Sequence, residues 1–220
     1  MIYERRLIPE DLLGVIHNLI DQVEWECGSV SSSVSKTRKI NLQAVPGGPR
    51  DEIFSHIWKQ LDEDFEFGIR VTPSESRSML LSKTTPGGKY DVHHDSHKLG
   101  DYSTTVFLSD PDTYVGGELK VFDGVDVHTF KPAAGTAITY KTGYTHQVCP
   151  VESGTRYAIV FWTSTMFRDD NLRRLYSDLM RLQELIPVTP EPSSIESAQD
   201  DAYFLLEQIC NNMRREFSDR

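Results

Sequence analysis

Near the N-terminus apolar residues recur every three or four positions. Leu12, Ile16, Leu19 and Val23 share one helical face, Pro9 suits a first turn, and Glu10 and Asp11 suit its positive end. This spacing predicts a helix over 9–23. A second helix is predicted over about 50–63, after the PGGP break, with Ile53, Ile57, Trp58 and Leu61 on one face. Between them, the Ser-rich stretch 28–37 has no apolar period and reads as a loop, and 39–44 reads as a short strand. From Ile69 to Trp162 the pattern shortens to short β-like runs at about 69–72, 77–83, 89–93, 102–108, 117–122, 126–130, 135–140, 144–148 and 155–163. Turn signals separate them, and the Asp-Gly at 123–124 marks a hairpin. The tail returns to helical spacing with Leu172, Leu175, Tyr176, Leu179, Leu182 and Ile186. PVTPEPSS at 187–194 interrupts it, and a last helix is predicted over about 195–217.

Many short strands at this spacing predict a mainly β sandwich or barrel with helices packed outside it. We read residues 1–186 as that domain, and 187–220 as a Pro-containing linker and a helix packed on the core or on a partner. The chain has 220 residues, enough for a hydrophobic core without staples. It carries 23 basic and 33 acidic side chains, a net charge of −10 that disfavours duplex nucleic acid as a partner. Cys27, Cys149 and Cys210 are too few and too scattered for a disulfide framework and suit a reducing compartment. No apolar run is long enough for a membrane span, and no signal peptide or nucleotide-binding glycine loop is present, so a soluble cytoplasmic protein is expected.

The densest chemistry is YDVHHDSH at 90–97. His93 and Asp95 are two apart, so on a strand they point to one side. His146, on a later predicted strand, is the candidate third ligand. Two histidines and one carboxylate are the ligand set of non-haem Fe(II) oxygenases, and they leave the opposite positions of the metal open. Arg156, ten residues after His146, supplies a cation able to clamp a carboxylate with two parallel hydrogen bonds.

Longer motifs surround these residues. They are WECGSVSSSVSKTRKINLQ at 25–43, GGKYDVHHD at 87–95, TVFLSDPDTYVGGELKVFD at 105–123, HQVCPVESGTR at 146–156 and FWTSTMFRDDNLRRLYSDL at 161–179. In content and order they resemble the Fe(II)/2-oxoglutarate dioxygenase superfamily, and within it the PKHD-type hydroxylases, relatives of the prolyl hydroxylases. The resemblance implies a double-stranded β-helix (jelly roll) and a hydroxylase that decarboxylates 2-oxoglutarate to succinate and CO2 while oxidising an unactivated C–H bond. It implies Fe(II), 2-oxoglutarate and O2, with ascorbate as a reductant, and a protein, peptide or small-molecule substrate. It gives His93, Asp95 and His146 to the iron and Arg156 to the distal carboxylate of 2-oxoglutarate, with Tyr90 lining that pocket. Some relatives place a serine two residues after the arginine. Ala158 stands there in this chain, which passes that role to another hydroxyl, Thr105 or Tyr140. Several prolyl hydroxylases carry a pocket tyrosine where this chain has Lys83.

Other readings of the same residues are a metal-binding or sensor module of cupin type without turnover, and a zinc hydrolase. His94 follows His93 directly and faces the other way on a strand. His93 and His97 have the spacing of a helical zinc pair but lack the glutamate that metalloproteases place after the first histidine. Cys149 reads as a small buried hydrophobe, Phe161 and Trp162 as core, Glu118 as structural, and His17, His56 and His128 as surface or packing residues. The polar segments 28–37, 84–89 and 96–101 are the expected specificity elements.

Overall fold

A computed structural model describes residues 1–31, 38–186 and 197–218. Part of the Ser-rich loop, 32–37, and the Pro-containing segment at 187–194 lie outside the described residues. In chain order the elements are β1 (Ile2–Arg6), α1 (Glu10–Ile20), β2 (Trp25–Cys27), β3 (Lys39–Ile40), β4 (Leu42–Ala44), α2 (Gly48–Glu63), α3 (Phe65–Val71), β5 (Pro73–Thr84), β6 (Lys89–His93), β7 (Tyr102–Phe107), β8 (Tyr114–Gly116), β9 (Leu119–Phe122), β10 (Val127–Phe130), β11 (Thr136–Lys141), β12 (Thr145–Val148), β13 (Val151–Gly154), β14 (Arg156–Thr165), α4 (Asp170–Leu185) and α5 (Ser197–Phe217).

They form two units, one of Met1–Asp64 with Ser76–Ser164, the other of Phe65–Glu75 with Thr165–Arg220. The first holds most of the β structure. A seven-stranded sheet runs β1-β11-β7-β14-β5-β4-β2, and a five-stranded sheet runs β10-β9-β12-β6-β3. Neighbouring strands such as β1 and β11, β11 and β7, β14 and β7, β12 and β6, and β12 and β9 pair antiparallel, so one face of each sheet can be apolar and the other polar or covered by helices. Phe107, Leu119, Val121, Ile138 and Tyr140 form an apolar cluster drawn from both sheets. The mainly β, jelly-roll architecture expected from the sequence is what the chain adopts.

Alternation along the strands separates the faces. Tyr157 packs its ring against Trp25, and Lys83 Nζ lies 5.4 Å from the Trp25 ring centre and 5.7 Å from that of Tyr157, which puts all three on the outer face of the large sheet. Their sequence neighbours Arg156 and Ser82 therefore face inward. Helix α1 buries Leu13, Ile16 and Ile20, and α2 buries Ile53, Ile57 and Leu61. Trp58 of α2 meets Phe161 of β14 edge-to-face at 5.5 Å, so the outer face is the one helices cover. The Asp-Gly hairpin forms as expected: Phe122 pairs with Val127, and Asp123 Oδ1 accepts from the backbone N–H groups of Val125 and Asp126.

In the second unit, Phe167, Tyr176, Cys210 and Met213 make a small core. Asp169 caps α4 by accepting from the N–H groups of Asn171 and Leu172. One expectation fails here. The run at 69–72 is not a strand, because Phe65–Val71 is helix α3. Phe65, Phe67, Ile69 and Val71 alternate as a strand would, but Glu66 and Arg70 form an i,i+4 ion pair and Glu66 also accepts from Arg181 of α4. Tertiary contacts override the period-two signal. Among the described residues no helix is long and apolar enough to cross a membrane.

Candidate active site

β6 and β12 pair antiparallel and set His93 directly opposite His146. Each imidazole is oriented by its own strand. His93 Nδ1–H donates to the Asp91 carbonyl at 2.8 Å, and His146 Nδ1–H donates to the Tyr144 carbonyl at 3.1 Å. A proton on Nδ1 leaves the lone pair on Nε2, the tautomer a metal requires. The two rings lie 4.2 Å apart between centres. The Tyr90 ring stacks on His93 at 3.5 Å, and Lys39 Nζ sits 5.2 Å from the Tyr90 centroid. Burial holds the Lys39 ammonium below its ordinary range.

Asp95 is placed differently from the sequence expectation. β6 ends at His93, so Asp95 lies two residues beyond the strand and does not owe its direction to strand alternation. Two donors on the large sheet set it instead. Ser103 Oγ and Trp162 Nε1 each donate to Asp95 Oδ2 at 2.8 Å. His93 Nε2 is 3.8 Å from Asp95 Oδ1, and His146 Nε2 is 3.6 Å from Oδ2. The ligating atoms of His93, Asp95 and His146 all fall within 4.8 Å of one another. Two imidazoles and a carboxylate with their ligating atoms this close fit a divalent metal of the imidazole–carboxylate class. Without one, His93 resists protonation: burial, then the neighbouring His146, hold its pKa at about 4.

Arg156 opens β14 and points between the sheets, 2% exposed, with its guanidinium 4.9 Å from the Phe107 ring centre. Among the described residues no hydrogen bond of ordinary geometry reaches its buried Nε and Nη2 atoms, and the nearby Tyr114 hydroxyl is a polar group that acts on it and favours its charged form. Burial pulls the arginine below its ordinary value and pushes the Tyr114 phenol up. A buried guanidinium without an acid partner is costly unless an anion joins it, which is what a carboxylate cosubstrate would do. Gly117 makes room: a Cβ there would lie 3.0 Å from Tyr114 Cε2 and 3.2 Å from Arg156 Cδ, and the residue has φ +68. Thr105 and Tyr140, the two candidate hydroxyls, face each other beside this group on adjacent strands, and burial raises the Tyr140 phenol.

The remaining sequence candidates scatter. His94 and His97 are exposed. His17 donates to the Leu108 carbonyl, and His128 pairs with Asp123. The Cys149 thiol is pushed up by burial, opposite to an activated nucleophile. Sequence reasoning missed three contributors: Ser103, Trp162 and Tyr114. Tyr114 had a signal, an aromatic hydroxyl just before the Gly-Gly turn. Ser103 and Trp162 act on Asp95 across sequence distances that no local pattern encodes.

Comparison with known proteins bears on the same residues. Residues 79–164, which include all of this site, match the family described as the 2OG-Fe(II) oxygenase superfamily. A PKHD-type hydroxylase of Maricaulis maris is 35% identical over 185 residues, covering 81% of this chain and 84% of that protein. Another, from Pseudomonas fluorescens, is 31% identical over 202 residues, covering 86% and 89%. Among solved structures, a Pseudomonas putida prolyl-4-hydroxylase aligns with a TM-score of 0.55 at 18% identity, over 74% of this chain and 92% of its own. A Trichoplax adhaerens prolyl hydroxylase, solved with a hypoxia inducible factor peptide fragment, aligns with a TM-score of 0.54 at 16% identity, over 79% and 86%. At such identities the two structures speak to the fold.

Proposed function

The chain belongs to the PKHD-type hydroxylases of the 2OG-Fe(II) oxygenase superfamily, and from that premise we propose that it hydroxylates an unactivated C–H bond of a peptidyl or small-molecule substrate, releasing succinate and CO2. It is a 2-oxoglutarate-dependent hydroxylase, and its cofactor and cosubstrates are Fe(II), 2-oxoglutarate and O2. In our reading His93, Asp95 and His146 hold the metal and Arg156 receives the distal carboxylate of 2-oxoglutarate. Ascorbate is the reductant in this reading. The observation that carries the proposal is the pairing of a converged His-Asp-His cluster with a buried arginine whose Nε and Nη2 make no hydrogen bond of ordinary geometry among the described residues.

When bound, the iron supplies the activation of oxygen that couples cosubstrate decarboxylation to C–H oxidation. The chain supplies the rest. The Asp91 and Tyr144 carbonyls keep both Nε2 lone pairs forward, so no ligand proton has to leave. Arg156 offers paired donors to a carboxylate in a site lined by Phe107, where water competes poorly. Tyr90 covers one face of His93 and limits access from that side. Thr105, Tyr140 and Tyr114 place hydroxyls around the same carboxylate position. A peptidyl substrate draws support from the peptide held by the Trichoplax relative.

The test is an anaerobic titration of the Fe(II)-loaded protein with 2-oxoglutarate, followed in the visible. Bidentate chelation by a 2-oxo acid gives a weak charge-transfer band. The band is expected in the wild type, lost in His93→Ala, and shifted to higher 2-oxoglutarate in Arg156→Ala. A wild type that binds iron but shows no band contradicts the proposal and favours a metal module without turnover.

A further inference from the structure

The Asp95 carboxylate is bonded asymmetrically. Oδ2 accepts from both Ser103 Oγ and Trp162 Nε1, each at 2.8 Å, and among the described residues no hydrogen bond reaches Oδ1. The indole N–H can only donate. Ser103 has a single hydroxyl proton and two oxygen neighbours, Asp95 Oδ2 and Thr142 Oγ1 at 3.2 Å. An ionised acceptor binds a proton more strongly than a neutral one, so the single Ser103 proton goes to Asp95 in preference to the more distant Thr142. Ser103 and Thr142 are buried, and Trp162 is 6% exposed, so water does not compete for these bonds.

We propose that Ser103 and Trp162 are positioning residues that restrict Asp95 to one-oxygen coordination. This rests on the reading of His93, Asp95 and His146 as the metal ligands. An oxygen that already accepts two hydrogen bonds is a weakened donor, so Oδ2, though 3.6 Å from His146 Nε2, is the poorer ligand of the two. Oδ1 is left for the metal. The effect matters because a carboxylate that chelates with both oxygens takes one of the positions that a bidentate 2-oxo acid and oxygen must share. Both donors come from the large sheet, from β7 and β14, while both histidines sit on the small one. The clamp therefore fixes the carboxylate by a route independent of the histidines.

The test uses Zn(II), a redox-silent probe, and protein labelled with 13C-aspartate. The zinc-loaded minus metal-free infrared difference spectrum gives the gap between the two carboxylate stretches, wide for one-oxygen and narrow for two-oxygen binding. Trp162→Phe keeps most of the ring volume and removes the donor. Ser103→Ala removes the hydroxyl, and Ser103→Thr restores it. Wild type and Ser103→Thr are expected to show the wide gap, and the Ser103→Ala, Trp162→Phe double variant the narrow one. With Fe(II), the double variant is expected to need about tenfold more 2-oxoglutarate to half-saturate the visible band, while its Zn(II) affinity falls less than that. A narrow gap in the wild type, or the same gap in every variant, overturns the proposal. So does a parallel loss of metal and 2-oxoglutarate affinity at constant gap, which is the signature of a packing role. If His93→Ala leaves the wild-type difference spectrum unchanged, the ligand assignment itself fails, and the clamp with it.

Discussion

Gly117 lies against Arg156 so closely that a single added carbon would sit 3.2 Å from the arginine Cδ. The same carbon would meet Tyr114 Cε2 and Val151 Cγ2 at 3.0 Å, and its residue would be held at φ +68, where side chains are disfavoured. Gly117→Ala is therefore expected to keep the fold at a cost of roughly 1–2 kcal/mol for the left-handed backbone. It should also raise the 2-oxoglutarate needed for half-saturation about tenfold, because the guanidinium must move. Urea unfolding and the anaerobic titration check the two parts separately. An unchanged titration would detach Gly117 from the cosubstrate site.

Arg156 separates stability from function. Among the described residues its buried Nε and Nη2 make no hydrogen bond of ordinary geometry, so replacing the side chain by an apolar one of similar length removes a buried cation that only neighbouring phenols offset. Arg156→Met is expected to raise the melting temperature of the protein free of cosubstrate. The same change should weaken 2-oxoglutarate by about 1.5–3 kcal/mol, the worth of hydrogen bonds to a charged group. A thermal melt and a titration on one sample decide it. Simultaneous loss of stability would mean the arginine is a structural member of the core.

The acid side of the stability profile follows from His93. Burial and the nearby His146 hold its folded pKa at about 4, against an ordinary 6.5, while the Asp91 carbonyl and Asp95 act in the opposite sense. Between those values the unfolded chain binds a proton that the folded chain refuses. Metal-free protein should be at full stability above pH 6.5 and lose up to about 3 kcal/mol as pH falls toward 4. Comparing urea midpoints at pH 5 and 7 in chelator-treated wild type and His93→Gln isolates the effect. Equal pH sensitivity in both would assign it to other groups.

Asp169 provides a control outside the site. Its carboxylate accepts from the N–H groups of Asn171 and Leu172 at 2.9 Å each, closing the first turn of α4. Asp169→Ala should cost about 1 kcal/mol of stability, the usual worth of such a cap. The 2-oxoglutarate titration should stay where it is in the wild type. A shift in that titration would reveal coupling between α4 and the cosubstrate site.

What the sequence could disclose depended on how far each effect reaches along the chain. His93 and His146 were legible because their spacing, strand period and flanking turns are local, and each ring is bonded to a carbonyl two residues upstream. Arg156 was legible from its distance to His146. Asp95 lies near His93 as expected but for another reason: strand alternation predicts it there, whereas Ser103 and Trp162 hold it beyond the strand end. Trp162 looked like core, and its indole is nearly buried, but its one polar atom serves the site. The run at 69–72 misled because alternating apolar residues and a short buried helix share a pattern when Glu66 has partners in another helix.

The stretch from Lys39 to Ala44 contributes β3 to the five-stranded sheet and β4 to the seven-stranded one. Only Asn41 stands between them. Its side-chain amide donates to Ser82 Oγ at 2.7 Å, and its carbonyl accepts from the Gly28 N–H at 2.8 Å. Glycine at 28 leaves room for that side chain, since a Cβ there would fall 2.1 Å from Asn41 Oδ1 and push the amide aside. At this edge the two sheets are thus joined by one hinge with two soft torsions, pinned from both sides. The place of β3 beside Tyr90 is therefore tied to the large sheet through Asn41 alone at this edge, although Asn41 itself has no part in the chemistry.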